Sequence, residues 1–140
     1  MIATRLATHL GFRTGDRGTL TSRTIMLAEL TTLLASVPAS ASKTERRAAI
    51  VSENILSKKT TSTRKSTAQR LSELYALDPS VPLFRLLQVV WKDDPAGQPL
   101  LALLCASARD PLLRITAGPV LQARQDDIVT KKHFEEALGE

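Results

Sequence analysis

Apolar residues recur at helical spacing along the first half of the chain. Residues 21–37, TSRTIMLAELTTLLASV, carry an apolar stripe on one side of a predicted helix. Residues 44–56, TERRAAIVSENIL, carry a shorter stripe with Thr44 as the predicted N-cap. In residues 62–77, STRKSTAQRLSELYAL, the stripe is centred on Leu71. These patterns predict three amphipathic helices.

The second half continues the helical pattern. Four segments are predicted to be helical: VPLFRLLQVVW, PLLALLCASAR, DPLLRITAGPVL and VTKKHFEEALGE. The second, residues 99–109, is apolar on all sides, which predicts a fully buried helix. Asp110 has the position of an N-cap for the third, and Gly118-Pro119 is expected to kink or end that helix.

Signals for β-structure are weak, since no segment alternates and no hairpin turn joins two such segments. Residues 11–18, GFRTGDRG, are predicted to be an irregular loop, and they lack the Gly-Lys-Ser/Thr ending of a phosphate loop. The sequence therefore predicts an all-α fold, a compact bundle of about six or seven helices. Residues 1–140 are expected to form a single helical domain.

Composition argues against several classes of function. The single cysteine, Cys105, excludes a disulfide within the chain and is predicted to be a buried thiol. The two histidines lie in no metal-binding pattern, and the paired acids are adjacent in sequence, where helical neighbours do not face each other. We therefore expect no enzymatic activity, no metal and no cofactor. No apolar stretch reaches the roughly 20 residues of a membrane span, so we expect no membrane partner and a cytoplasmic location.

Positive charge is concentrated in the middle of the chain. The net charge is +5, and residues 41–75 alone carry eight basic and three acidic side chains, which is also +5. Such segregation is typical of a surface that binds nucleic acid. It is equally compatible with a solvated helix surface or with an acidic protein partner.

Helical geometry places Lys65, Gln69 and Arg70 on the outer side of the helix that begins near residue 61, with Thr61 and Thr63 in its first turn. Two helices joined by a short basic connection are compatible with a helix-turn-helix. Arg64 lies under the apolar stripe, where it covers the core as readily as it reaches a ligand. The candidate nucleic-acid contacts are Arg46, Arg47, Lys58, Lys59, Thr61, Thr63, Arg64, Lys65, Gln69 and Arg70.

Three stretches resemble the BrxA family, small proteins encoded in BREX phage-defence loci. They are residues 21–35, residues 50–79 and residues 100–114. The shared features are an Asn and a Lys/Thr/Arg-rich turn before an Arg-Leu helix, then a Leu-rich helix and an Arg-Asp-Pro-Leu-Leu turn.

The resemblance implies a NusB-like helical core, DNA binding, and partnership with other phage-defence proteins. Members of the family usually run longer at the C-terminus, so the chain also fits the N-terminal part of a longer protein. The interpretation is a non-enzymatic, DNA-binding accessory protein of phage defence. The alternative is an assembly subunit that binds other proteins and makes no contact with nucleic acid.

Overall fold

The computed structural model describes residues 2–15 and 25–139 of the chain. These residues contain no strand and form eight α-helices, with a 3-10 turn at Pro95–Gly97. The helices are α1 (Ile2–Leu10), α2 (Leu27–Ser36), α3 (Lys43–Val51), α4 (Thr61–Tyr75), α5 (Pro82–Asp93), α6 (Gln98–Arg109), α7 (Pro111–Gln122) and α8 (Lys131–Leu138). The predicted all-α fold is confirmed, and α1 is the helix that the apolar pattern did not single out.

The helix α4 lies at the centre of the core because α3 and α6 both pack against it. Its residues Leu71 and Tyr75 are fully buried. The Tyr75 hydroxyl donates a hydrogen bond to the carbonyl of Ile25, just before α2, and burial raises the pKa of this phenol. The uncharged phenol therefore connects the start of α2 to the end of α4.

The thiol of Cys105 is buried on α6, as predicted. Its Sγ lies 3.9 Å from the carbonyl oxygen of Leu74, and its side chain is only 4% exposed. Burial raises the pKa of this thiol to about 12. Cys105 is therefore a packing residue between α6 and α4.

The boundaries of α2 and α3 differ from the prediction. Helix α2 begins only at Leu27, after Met26 in a left-handed conformation, and residues 21–24 lie outside the described residues. The N-cap of α3 is Ser42, and the predicted cap at Thr44 is wrong. The Ser42 hydroxyl accepts the N–H of Glu45 while the Glu45 carboxylate accepts the N–H of Ser42. This reciprocal capping box fixes the start two residues earlier.

Two helices in the second half also differ from the prediction. Helix α6 is not fully buried: α4 covers only one of its sides, and Leu100 and Leu104 on the other remain 60% and 58% exposed. Helix α7 continues through Gly118-Pro119 to Gln122, with α8 packed along it, so of the predicted kink or end the end is wrong. The predicted N-cap of α7 is correct, since the Asp110 carboxylate accepts the N–H groups of Leu112 and Leu113. Within the described ranges, no helix has both the length and the apolar character needed to cross a membrane.

Candidate nucleic-acid interface

The connection between α3 and α4, residues 52–60, is held by its own hydrogen bonds. Helix α3 ends at Val51 instead of continuing to residue 56, because Asn54 takes a left-handed conformation with φ 53°. The Asn54 carboxamide oxygen then accepts the N–H of Lys58 at 2.8 Å. Ile55 donates its N–H back to the carbonyl of Ala49 and packs against the core. The connection is therefore anchored to α3 although it is not helical.

The N-terminus of α4 is capped by Thr60. Its hydroxyl accepts the N–H of Thr63 at 3.1 Å, and the two threonine hydroxyls lie 2.8 Å apart. Thr61 is exposed and Thr63 is half-buried. The first turn of a helix has backbone N–H groups without helical partners and the positive end of the helix dipole, which together attract anions. This end of α4 therefore favours a phosphate oxygen.

Exposed side chains flank this helix end. Lys59 directly precedes the cap, Lys65 is one turn into α4, and Arg47 is exposed on α3. Gln69 is exposed further along, where its amide donates to the Glu73 carboxylate at 3.3 Å. The three cations are exposed to a ligand, whereas the Gln69 amide is already hydrogen-bonded to Glu73.

Lys58 has an intramolecular partner. Its ammonium lies 3.1 Å from the Glu29 carboxylate of α2, and both side chains are about three quarters covered. The ion pair joins the connection to α2. Lys58 therefore contributes less free charge to this surface than Lys59.

Arg46 is buried, and the structure removes it from the candidate contacts. Its side chain is 1% exposed, and its guanidinium donates to the carbonyls of Pro38, Ala39 and Ala41 in the loop before α3. The guanidinium also lies 4.9 Å from the ring centroid of Phe84, and burial lowers its pKa. Arg46 therefore connects α3, the preceding loop and α5.

Arg64 and Arg70 are half-buried on α4. The Nε of Arg64 donates to the carbonyl of Lys58 at 3.2 Å, so this side chain supports the connection. Arg70 and Lys65 are about 140° apart around the helix at 100° per residue. The candidate cations therefore lie on both edges of the exposed side of α4 and do not form one compact cluster.

Two arginines that the sequence reasoning did not select hold the far end of α4 and the start of α7. Arg109 donates to the carbonyls of Ser72 and Glu73 in the last turn of α4 and to that of Gly11. Arg114 donates to the carbonyls of Ser107, Ala108 and Arg13. Their only sequence signal is position. Arg109 is the last residue of α6, and Arg114, in the first turn of α7, reaches free carbonyls at the end of α6, where cations are favoured.

The described residues contain no group of His, Cys, Asp or Glu side chains that could hold a metal ion. Among the adjacent acids, Asp94 caps the 3-10 turn through the N–H of Gly97. The chemistry that the site offers is therefore cations, hydroxyls and backbone N–H groups, which bind anions.

Comparison with known proteins identifies one family. The family model described as BrxA matches residues 17–121, which is more than half of the chain and includes α2 to α6 and most of α7. No curated protein and no solved structure matches the chain significantly.

Proposed function

Because the chain belongs to the BrxA family of BREX phage-defence proteins, we propose that it is a non-enzymatic accessory protein that binds DNA through the N-terminal end of α4. The observation that carries the proposal is the exposed, capped end of α4 flanked by Lys59 and Lys65. Arg47, Thr61 and Gln69 complete the proposed contact surface.

The geometry favours contacts with the phosphate backbone over reading of bases. The inner side of α4 forms the core, with Thr67, Ala68 and Leu71 buried. The connection of residues 52–60 is also longer than the ~3–4-residue turn of a helix-turn-helix. A helix that is buried along one side and presents its N-terminus is suited to a phosphate. We therefore propose affinity for duplex DNA with weak sequence preference.

The test is the salt dependence of binding to a labelled DNA duplex. Each neutralised phosphate contributes a slope of about −0.9 to the plot of log affinity against log salt. The variant Lys59→Ala/Lys65→Ala should flatten that slope by up to about 1.8 units. It should leave the melting temperature unchanged, because both side chains are exposed.

The matched control is Lys131→Ala/Lys132→Ala on α8, which removes the same charge from another exposed helix. Its slope should equal that of the unmodified chain. Equal flattening by both variants would show that only net charge matters and would refute this site. Absence of salt-dependent binding by the unmodified chain at low salt would refute DNA binding.

A further inference from the structure

An apolar groove of about 420 Å³ lies between α5 and α6. On α5 its lining residues are Leu83, Leu86, Leu87 and Val90. On α6 the apolar lining residues are Leu101, Leu104, Cys105 and Ala108, and Ser107 also lines the groove. Each set follows the spacing i, i+3, i+4 and i+7, so each helix presents a continuous apolar stripe to the groove.

The groove has a buried floor and exposed walls. Leu87 and Cys105 are 4% exposed and belong to the core. Leu86 and Leu104 are 60% and 58% exposed, although they sit in the middle of the two stripes. Two parallel apolar stripes of this kind form the surface on which a third amphipathic helix packs.

Positive charge at one end of the groove favours a partner helix that carries an acidic side chain there. Arg114 is the one charged residue among those that line it, and Phe12, which also lines it, is followed by Arg13. The guanidinium of Arg114 donates only to backbone carbonyls, and the Nη1 of Arg13 is buried without a hydrogen-bond partner. Among the described residues neither forms an ion pair within 4.0 Å. A ligand that brings its own carboxylate to this end therefore gains charge-assisted hydrogen bonds.

We infer that the groove between α5 and α6 binds an amphipathic helix of a partner protein, with an acidic side chain at the end that meets Arg114 and Arg13. A second copy of this chain fits less well. Its exposed apolar helix, α1, carries Arg5, and its own groove carries the same arginines, so arginines would face arginines. The inference is independent of DNA binding, which involves α3 and α4.

The probe is a fluorescein-labelled synthetic helical peptide with leucines at i, i+3, i+4 and i+7 and two glutamates at one end. Fluorescence anisotropy measures its binding to the full chain. Leu86→Ser/Leu104→Ser should weaken binding by at least about tenfold, because central apolar anchors carry most of the affinity in such interfaces. The matched control is Val120→Ser/Leu121→Ser on α7, at 56% and 82% exposed and outside the groove, and it should bind like the unmodified chain.

Three results would overturn the inference. The first is that the peptide does not bind, or that both double variants lose the same amount of peptide affinity although thermal melts show that both are folded. The second is equal affinity for a peptide with lysines in place of the glutamates, which would show that the arginines select nothing. The third is a dimer in sedimentation velocity that Leu86→Ser/Leu104→Ser dissociates, which would make a second copy the occupant.

Discussion

Arg46 provides the sharpest test of which cations hold the fold and which are offered to a ligand. Arg46→Ala removes three hydrogen bonds from a charged donor, to the carbonyls of Pro38, Ala39 and Ala41, each contributing about 1.5–3 kcal/mol. It also removes the contact with Phe84, which contributes about 0.5–2 kcal/mol. These contributions do not add, because the three hydrogen bonds and the ring contact share one guanidinium. We expect a net loss of about 3 kcal/mol in the free energy of unfolding.

The assay is urea unfolding followed by circular dichroism. The neighbouring variant Arg47→Ala is the matched control, because Arg47 carries the same group on the same helix but is exposed. Its stability should change by no more than about 0.5 kcal/mol, and its effect should appear in the salt slope of DNA binding. A loss below about 1 kcal/mol for Arg46→Ala, or a flatter salt slope with unchanged stability, would refute the assignment of Arg46 to the core.

Three further predictions concern single groups. Cys105 should react with thiol reagents at pH 8 only as fast as the chain unfolds, because burial raises its pKa to about 12; rapid labelling of the native protein would contradict this. Thr60→Ala should destabilise the protein by about 1 kcal/mol through loss of the α4 cap, and Thr60→Ser should restore most of it. Hydrogen bonds from the Ser80 N–H and hydroxyl lower the pKa of Asp78. Its contribution is therefore complete above the unfolded pKa of about 3.9 and lost as the pH falls through the lower folded value, so Asp78→Asn should reduce the drop in the urea midpoint between about pH 5 and pH 2.

Helical spacing predicted the fold class because it reports which side of a helix is apolar, and the core contains the predicted stripe of α4 around Leu71. The same signal failed for α6. A Leu-rich helix is apolar on every side, so the spacing does not show which side a neighbour covers, and Leu104 is exposed. The boundaries near α3 were missed because they depend on the reciprocal cap between Ser42 and Glu45 and on the left-handed backbone of Asn54. Apolar spacing carries no information about either feature.

The candidate contacts were predicted from charge and from the angle of each residue around the helix. That angle gives the direction of a side chain but does not identify its hydrogen-bond or ion-pair partner. Lys59, Lys65 and Gln69 are exposed as that geometry implies. Arg46 was misplaced because its acceptors are backbone carbonyls, which have no side-chain signature. Lys58 was taken as free because its acceptor, Glu29, lies on a helix distant in sequence. In both cases the cation can be read from the sequence, but the acceptor that binds it is known only from the structure.

The residues that give this chain its resemblance to the BrxA family hold α4 at both ends. At its start, Asn54 fixes the backbone of Lys58, Arg64 binds the same residue's carbonyl, and Thr60 caps the helix. At its end, Arg109 satisfies the carbonyls of the last turn. These side chains form hydrogen bonds within the fold. Replacing them would therefore affect the proposed DNA binding only by disturbing the fold. If the proposed DNA binding holds, its contacts must therefore come from exposed residues, of which Lys65 is the exposed cation on α4 and Lys59 the exposed cation beside its cap.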